Sequence, residues 1–520
     1  MHNSRTDNVI KNSTASLVYR LAYLVIHFVM RTVFIRLLGR EYTGLATLFA
    51  DILHVLSLVE LGLDASMAFH LYKPLAEKDE RKVTALMNFY RKAFTIIGFV
   101  VLGSGVALIP FLRYIVKDVP NIRESIQLIF LMYVLTTASS YFFVYRTILI
   151  RADQKSRIIS YTTGAFAIGE FLLEVTLLLI LRQYFSYLIV RLVSSVARNA
   201  FLSIKAGKMY PQYLRNREPK LAKEERTALY KNIAALCLYN LAAVVLSSTD
   251  SIFISAFVGT SVVAVVGNFT MIVKNIKNII KLMVNASRPS VGNFVAMDAG
   301  NRQLSMFHKI NFLTFWVACL CSTCLFNLLN PFVGGIWFDA SYRISNGIVA
   351  VMVMNFFISV MSYTNGTFRS ANGLFVQGWY RPAVMAVMNI VLDYFMGKSM
   401  GISGIYIATL LSLLLTQIWY DPYIVFKHAF GMKPWSYFRD YAIYALLTAL
   451  CCAGAYWLSE LLSISNKWLD FGCRIVISVL LPNVVLFVLF RKTDEFAFVK
   501  SSAEKLLGKV LKKTGKRRSA

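Results

Sequence analysis

The chain has 520 residues, of which 57% are hydrophobic and only 16% charged, and its basic residues outnumber the acidic ones to leave a net charge of +28. Soluble domains carry about 25% charged residues, so this composition excludes an ordinary water-soluble globule. In a membrane chain the positive excess reports orientation rather than a nucleic-acid partner, and no nucleic acid is expected.

Windows of about 20 apolar residues, each able to cross a hydrocarbon core of about 30 Å, recur along the whole length. About fourteen spans are predicted, near 16–38, 43–64, 88–111, 123–148, 159–181, 183–203, 232–257, 261–284, 310–332, 345–366, 381–397, 401–420, 441–462 and 472–490. The first is too long and too charged for a cleavable signal peptide, and no small-residue cleavage site follows it. Basic residues gather in alternate loops: Lys73, Lys78, Arg81 and Lys82, then Arg151, Lys155 and Arg157, then the loop from Lys205 to Lys231, then the C-terminal tail. Positive loops stay inside, so an even number of spans places both termini in the cytoplasm.

The first span holds Arg20, His27 and Arg31 at spacings that keep them within roughly 40° on one helical face. Arg20 is close enough to the inner interface to snorkel, whereas His27 and Arg31 lie deep. The fifth span carries Glu170 and Glu174, and the sixth carries Arg191 and Arg198 with Ser194 and Ser195 between them. A tight turn near Arg182 separates these spans, so Glu174 and Arg191 could pair across a helical hairpin.

The long basic loop with Pro211 and Pro219 divides the chain, and weak self-similarity crosses the divide. Phe34-Ile35-Arg36-Leu37-Leu38-Gly39 matches Ile254-Ser255-Ala256-Phe257-Val258-Gly259, and Asp64-Ala65-Ser66 matches Asn285-Ala286-Ser287, at a shared offset of about 220 residues. An internal duplication follows. The fold class expected is all-α integral membrane, with about fourteen helices forming two six-helix bundles related by pseudo-symmetry around a central cavity, plus two C-terminal helices. The expected organisation is an N-terminal bundle at 1–206, a cytoplasmic basic linker at 207–231, a C-terminal bundle at 232–425, two additional transmembrane helices at 426–490 and a basic cytoplasmic tail at 491–520.

The strongest chemical signal is in the eighth span, where Lys274, Lys277 and Lys281 punctuate an apolar run and fall within roughly 60° of each other on a helix. Asn278, Asn285 and Arg288 extend that face. A charge near a bilayer centre costs roughly 2.5–3.5 kcal/mol on insertion scales, so such a row must face a watered, protein-lined cavity. Ordered cations in a cavity call for an anionic passenger. Intramembrane acids form a second set: Asp51, Glu60, Glu170, Glu174, Asp250 and Asp393. Most are expected to neutralise the basic residues, while Asp393, beside Asn389, and Asp250 are the candidates for ion coupling.

Other chemistry is missing. Cys319, Cys321 and Cys324 have no His or second Cys pair to complete a tetrahedral metal set, so no metal and no cofactor are expected. Gly397-Lys398-Ser399 lacks the upstream glycine of a phosphate-binding loop. Short outer loops without paired acids fit an enzyme poorly, and the chain is read as a non-enzyme. The tail from Phe496 to Arg518 alternates apolar residues with lysines, a pattern suited either to anionic membrane lipid as a partner or to a solvated tail that sets topology.

Leu38-Gly39 with Tyr42-Thr43-Gly44-Leu45, Leu58-Val59-Glu60-Leu61-Gly62-Leu63, Leu71-Tyr72-Lys73-Pro74-Leu75, Ala152-Asp153-Gln154-Lys155, Thr249-Asp250, Tyr380-Arg381-Pro382, Gly401-Ile402-Ser403-Gly404-Ile405 and Trp419-Tyr420-Asp421-Pro422 are loose motifs in an informative order. Together they resemble the bacterial polysaccharide-unit flippases, the Wzx-type O-antigen and capsule exporters of the MATE-like superfamily, over roughly 15–430. The resemblance implies a multi-pass protein of the bacterial cytoplasmic (inner) membrane that flips an undecaprenyl-pyrophosphate-linked glycan between leaflets by alternating access. It further implies polysaccharide polymerase or assembly proteins as partners. The anionic anchor would sit against Lys274, Lys277, Lys281, His27, Arg31, Arg191 and Arg198. Asp393 departs from the small hydroxyl residue common in such flippases. A lipid II-type flippase and a cation-coupled small-molecule exporter of the same fold are the alternatives; the cationic row argues against the second.

The topology is directly testable. Cysteine accessibility or reporter fusions should place residues 215 and 510 inside and residue 339 outside; a periplasmic tail would overturn the even-span reading.

Overall fold

A computed structural model of the chain describes residues 22–57, 67, 70–117, 122–216, 218–285, 287, 291–292, 300–374, 377–378, 380–501 and 504. Arg20, Glu60, Asp64-Ala65-Ser66, Arg288 and the basic tail beyond 504 lie outside these residues. The main helices are α1 (22–38), α2 (Arg40–Leu56), α3 (Glu80–Leu108), α4 (Ile126–Val144), α5 (Ser156–Leu181), α6 (Tyr184–Met209), α7 (Lys223–Phe257), α8 (Thr260–Asn285), α9 (Gly300–Pro331), α10 (Asn346–Ala371), α11 (Arg381–Val425), α12 (Trp435–Leu461) and α13 (Lys467–Phe490). No strand occurs among the described residues. Among the described residues, ten helices are long and apolar enough to cross a membrane by length and composition. The all-α membrane fold is therefore the one expected. The two short spans expected at 381–420 are arms of α11, which breaks at Gly401.

Local chemistry sets the helix ends. The Asp79 carboxylate accepts from Lys82 N at 2.9 Å to cap α3, and the Asn466 side chain accepts from Trp468 N and Leu469 N to cap α13, satisfying N–H groups that have no partner within the helix. Burial is inverted relative to a soluble protein. The only buried residues of α5 are Thr162, Glu174 and Leu178, while Leu172, Leu173, Leu179 and Ile180 are exposed, as are Leu480, Val484 and Val488 on α13. Apolar faces of this extent are stable only against lipid.

Two compact units emerge, Met1–Ala264 and Val265–Ala520. In the first, one apolar cluster centres on Tyr90, Phe94, Tyr141 and Ile148, and another on Phe49, Phe130, Leu178 and Tyr184. The second is built on aromatic contacts such as Phe307 edge-on to Phe368 and Phe426 and Phe315 stacked on Tyr444 at 3.9 Å. There α12 and α13 pack on α9 through a polar knot. Arg474 binds Asp470, Glu460 and Asn327, and Asn327 donates to Ser459 and Ser478, both at 2.8 Å. The division at 264/265 lies beyond the basic loop expected to separate the bundles because α7 packs on α2, where His54 Nδ1 and Ser248 Oγ lie 2.9 Å apart.

The turns carry the same signature in both halves of the chain. Positive φ occurs at Gly39 and Gly259, at Gln154 and Gly373, and at Arg182 and Gly401, each pair about 220 residues apart, as a duplicated chain requires. Ala152-Asp153-Gln154 and Ala371-Asn372-Gly373 are the same turn in two versions. The bundle boundaries themselves remain a proposal.

These turns generate a prediction of opposite signs. Arg182 sits in the left-handed region (φ 50°, ψ 34°), which costs a side-chain-bearing residue roughly 1–2 kcal/mol. Gly401 has φ 59° and ψ −133°, a region open essentially to glycine alone. Arg182→Gly should raise the unfolding temperature in detergent slightly, and Gly401→Ala should lower stability by roughly 1–3 kcal/mol.

Candidate anion-binding site

In the first unit, α1 carries His27 and Arg31. The Arg31 guanidinium donates to Thr47 Oγ1 at 3.4 Å and to the Ala264 carbonyl at 3.3 Å, so α2 and the start of α8 hold it in place. His27 stacks on Tyr23 at 5.7 Å and lies within electrostatic reach of both Arg31 and Arg191. The structure thus brings these three residues from α1 and α6 together. Arg198 stands two turns further along α6 and is half-buried.

Arg191 is held in an aromatic cage. Its Nη1 donates to the Tyr187 hydroxyl at 2.9 Å, and its guanidinium carbon lies 5.6 Å from the Tyr133 ring centre and 6.0 Å from that of Tyr187. Tyr133 and Tyr184 hydroxyls meet at 3.0 Å, and Phe34 packs edge-on against Tyr184 and Tyr187. Cation–π contact with desolvated rings keeps a guanidinium charged inside a protein without consuming it in an ion pair. The Glu174–Arg191 ion pair that the hairpin permits does not form among the described contacts: Glu174 acts on Arg191 electrostatically, yet its Oε1 has no hydrogen-bond partner. Glu170 accepts instead from Ser194 at 2.9 Å.

In the second unit, α8 is continuous through Lys274, Lys277 and Lys281, so their spacing does place them on one face. Lys274 and Lys277 are half-buried and Lys281 is exposed. Thr270, one turn before Lys274 on that face, meets the Tyr406 hydroxyl at 3.1 Å, and Asn355 holds the Tyr406 carbonyl at 3.0 Å. A hydroxyl pair therefore heads the row of ammonium groups.

Asp393 is fully buried on α11. Asn389, equally buried, donates to Asp393 Oδ1 at 3.3 Å and to Thr409 Oγ1 at 3.4 Å across the Gly401 break. The break thus folds the two arms of α11 so that a carboxylate, an amide and a hydroxyl converge. Asp250 is half-buried on α7 in the first unit. At the C-terminal end of α10, Arg369 and, from α11, Arg381 both bind Asp421 Oδ1, at 3.0 and 3.2 Å, and Arg369 donates to the Leu374 and Gln377 carbonyls at 2.9 and 2.5 Å. That cluster is satisfied internally and closes the loop before α11.

Sequence reasoning reached the charged residues and missed their hydroxyl partners. The Tyr187/Arg191 spacing of four was a legible helical pairing, as was Thr270 one turn from Lys274. Tyr133 and Tyr406 come from distant helices and left no local signal, and Thr47 lies on the next helix, across the Gly39 turn. Among the described residues no group of three or more His, Cys, Asp or Glu is placed to hold a metal ion. The cysteine-rich stretch of α9 is occupied by packing contacts, Cys319 with Cys451 and Cys324 with the Ser478 carbonyl.

No protein-family model matches the chain, and no curated protein matches it. Solved structures do. The inward closed conformation of lipid II flippase MurJ aligns with a TM-score of 0.69 at 14% identity, covering 93% of this chain and 99% of that one. An inward-facing multidrug resistance MATE family transporter of the MOP superfamily aligns with a TM-score of 0.55 at 13% identity, covering 81% and 99%. The chain has the fold of MOP-superfamily transporters. A Vibrio cholerae MATE transporter gives the same answer, with a TM-score of 0.51 at 14% identity, covering 83% of this chain and 98% of that one. The long apolar helices and this fold agree, and the chain is a multi-pass membrane protein.

Proposed function

We propose that the chain is a flippase that moves an undecaprenyl-pyrophosphate-linked polysaccharide repeat unit from the inner to the outer leaflet of a bacterial inner membrane by alternating access, and that it is not an enzyme. One observation carries this reading: cationic side chains are held, half-buried, in apolar helices of each unit, at Lys274 and Lys277 in one and Arg31 and Arg191 in the other. Lysine and arginine suit phosphate, the first as a point charge and the second as a bidentate donor. His27, Arg198 and Lys281 extend the two rows. Glycan assembly or polymerase proteins would receive the product, and anionic lipid would meet the basic tail.

The fold agreement with lipid II flippase MurJ favours a second reading within the same class, in which the passenger is a cell-wall precursor with a similar anionic anchor. A small-molecule exporter of the MATE kind fits less well, because basic side chains repel a cationic drug.

Lys277→Ala should reduce glycan export at unchanged protein level by roughly tenfold or more, the worth of a charge-assisted hydrogen bond of about 1.5–3 kcal/mol, with Lys274→Ala similar. Arg should substitute better than Gln, Glu should be worst, and Lys281 should matter less because it can snorkel to the surface. Export in a strain complemented with a Lys274/Lys277 double Gln variant decides the matter: normal export removes the pyrophosphate-site reading.

Ion coupling is assigned to Asp393 and, in the other unit, Asp250. Support comes from the oxygen-rich group of Asp393, Asn389 and Thr409, which offers the hard ligands a proton or small cation prefers. Asp393→Asn should abolish the response of flipping to an imposed ion gradient in proteoliposomes. A response equal to that of the unaltered protein would remove Asp393 from this role.

A further inference from the structure

The Glu174 carboxyl is the most exacting polar group of the first unit. It is 5% exposed on a helix that otherwise buries only Thr162 and Leu178, and its Oε1 has no hydrogen-bond partner. The groups facing it are Arg191 and Tyr187 from α6, Tyr133 from α4, and Glu170 one turn back on α5; His27 on α1 belongs to the same field through its electrostatic interaction with Arg191, and Arg31 through its interaction with His27. Arg191 already spends a donor on Tyr187 and its faces on two rings. It stays half-buried and reachable, with its charge unneutralised by any ion pair among the described contacts.

We infer that Glu174 is a proton-exchange site that controls anion binding at Arg191. The inference rests on the anion-carrying reading above and supplies a release step for it. A buried carboxylate with one oxygen lacking a donor and no ion pair among the described contacts is strongly disfavoured, so Glu174 holds a proton while Arg191 serves the anionic group of the passenger. When the carboxyl O–H bond breaks, its proton leaves to water and the bonding pair stays on the carboxylate oxygen. That carboxylate then pairs with Arg191 in place of the passenger. Carboxylate and passenger are alternatives for one guanidinium, so anion binding takes up a proton and proton loss expels the anion. The sign follows from linkage: affinity is greatest at low pH and falls as pH rises through the titration of this carboxyl.

The test uses the full chain in detergent with geranylgeranyl pyrophosphate as the probe. Its affinity is measured from about pH 6 to about pH 9, and proton exchange on binding is read in weak buffer. The unaltered protein should take up protons on binding, and its affinity should weaken by up to about tenfold per pH unit beyond the probe's own titration. Glu174→Gln should bind with no such uptake and follow the probe's titration alone. Glu174→Asp keeps a carboxyl and should displace the pH midpoint; it serves equally where the Gln variant is not produced. A Gln variant with the same uptake and slope as the unaltered protein, or an Asp variant with an unchanged midpoint, overturns the inference. In either case probe binding that a Lys274/Lys277 double Gln variant loses leaves the anion-carrying reading standing. Failure of the unaltered protein to bind the probe removes that reading and this inference with it.

Discussion

Everything in this protein is organised by the cost of holding charge away from water. A lysine or arginine in hydrocarbon is tolerated only when it reaches the interface, meets an opposite charge, or lines a wet, protein-walled space. The first two solutions occur, and a further device joins them. Lys281 lies exposed at the end of its helix. Arg369 and Arg381 share Asp421. Arg191 belongs to neither group: aromatic rings and one hydroxyl stabilise its charge while leaving it uncancelled. Arg369 is cancelled by a carboxylate, whereas Arg191 keeps its charge among rings and a hydroxyl.

The fold was legible in the sequence because hydropathy at the scale of a bilayer is a strong and nearly local signal. Each apolar window from 16–38 to 472–490 corresponds to a helix or to an arm of one. The Lys274, Lys277 and Lys281 face was equally legible, since helical periodicity alone fixes it. Hairpin logic did less well. It brought Glu174 and Arg191 onto adjacent helices correctly, but it could not tell that Tyr187, four residues before Arg191, would take the guanidinium. Contacts such as Arg31 with the Ala264 carbonyl or Thr270 with Tyr406 join residues far apart in the chain. No window of sequence holds both partners, and a hydroxyl is too common to mark itself.

The duplicated turns show how one backbone plan accepts different residues. Gln154 and Gly373 occupy equivalent left-handed positions, as do Arg182 and Gly401. In each pair the first half of the chain carries a side chain where the second has glycine, so the positive φ is kept while the residue differs, although ψ also differs between Arg182 and Gly401. The second copy of the last turn also bends its helix, and Asn389 and Thr409 meet across that bend. The break at the equivalent position of the first copy separates α5 from α6 and sets Glu170 against Ser194. One geometric device thus builds two chemically unlike polar centres.

The Arg369–Asp421 pair has a consequence for biogenesis. Its partners are 52 residues apart in the chain, and synthesis at about 5–20 residues per second separates their emergence by several seconds. Arg369 enters the membrane before the carboxylate that neutralises it exists. Until then the Leu374 and Gln377 carbonyls, which follow within a few residues, are the partners at hand. The loop before α11 therefore acts as a temporary chaperone for its own arginine, and the ion pair completes an arrangement that the backbone had already begun.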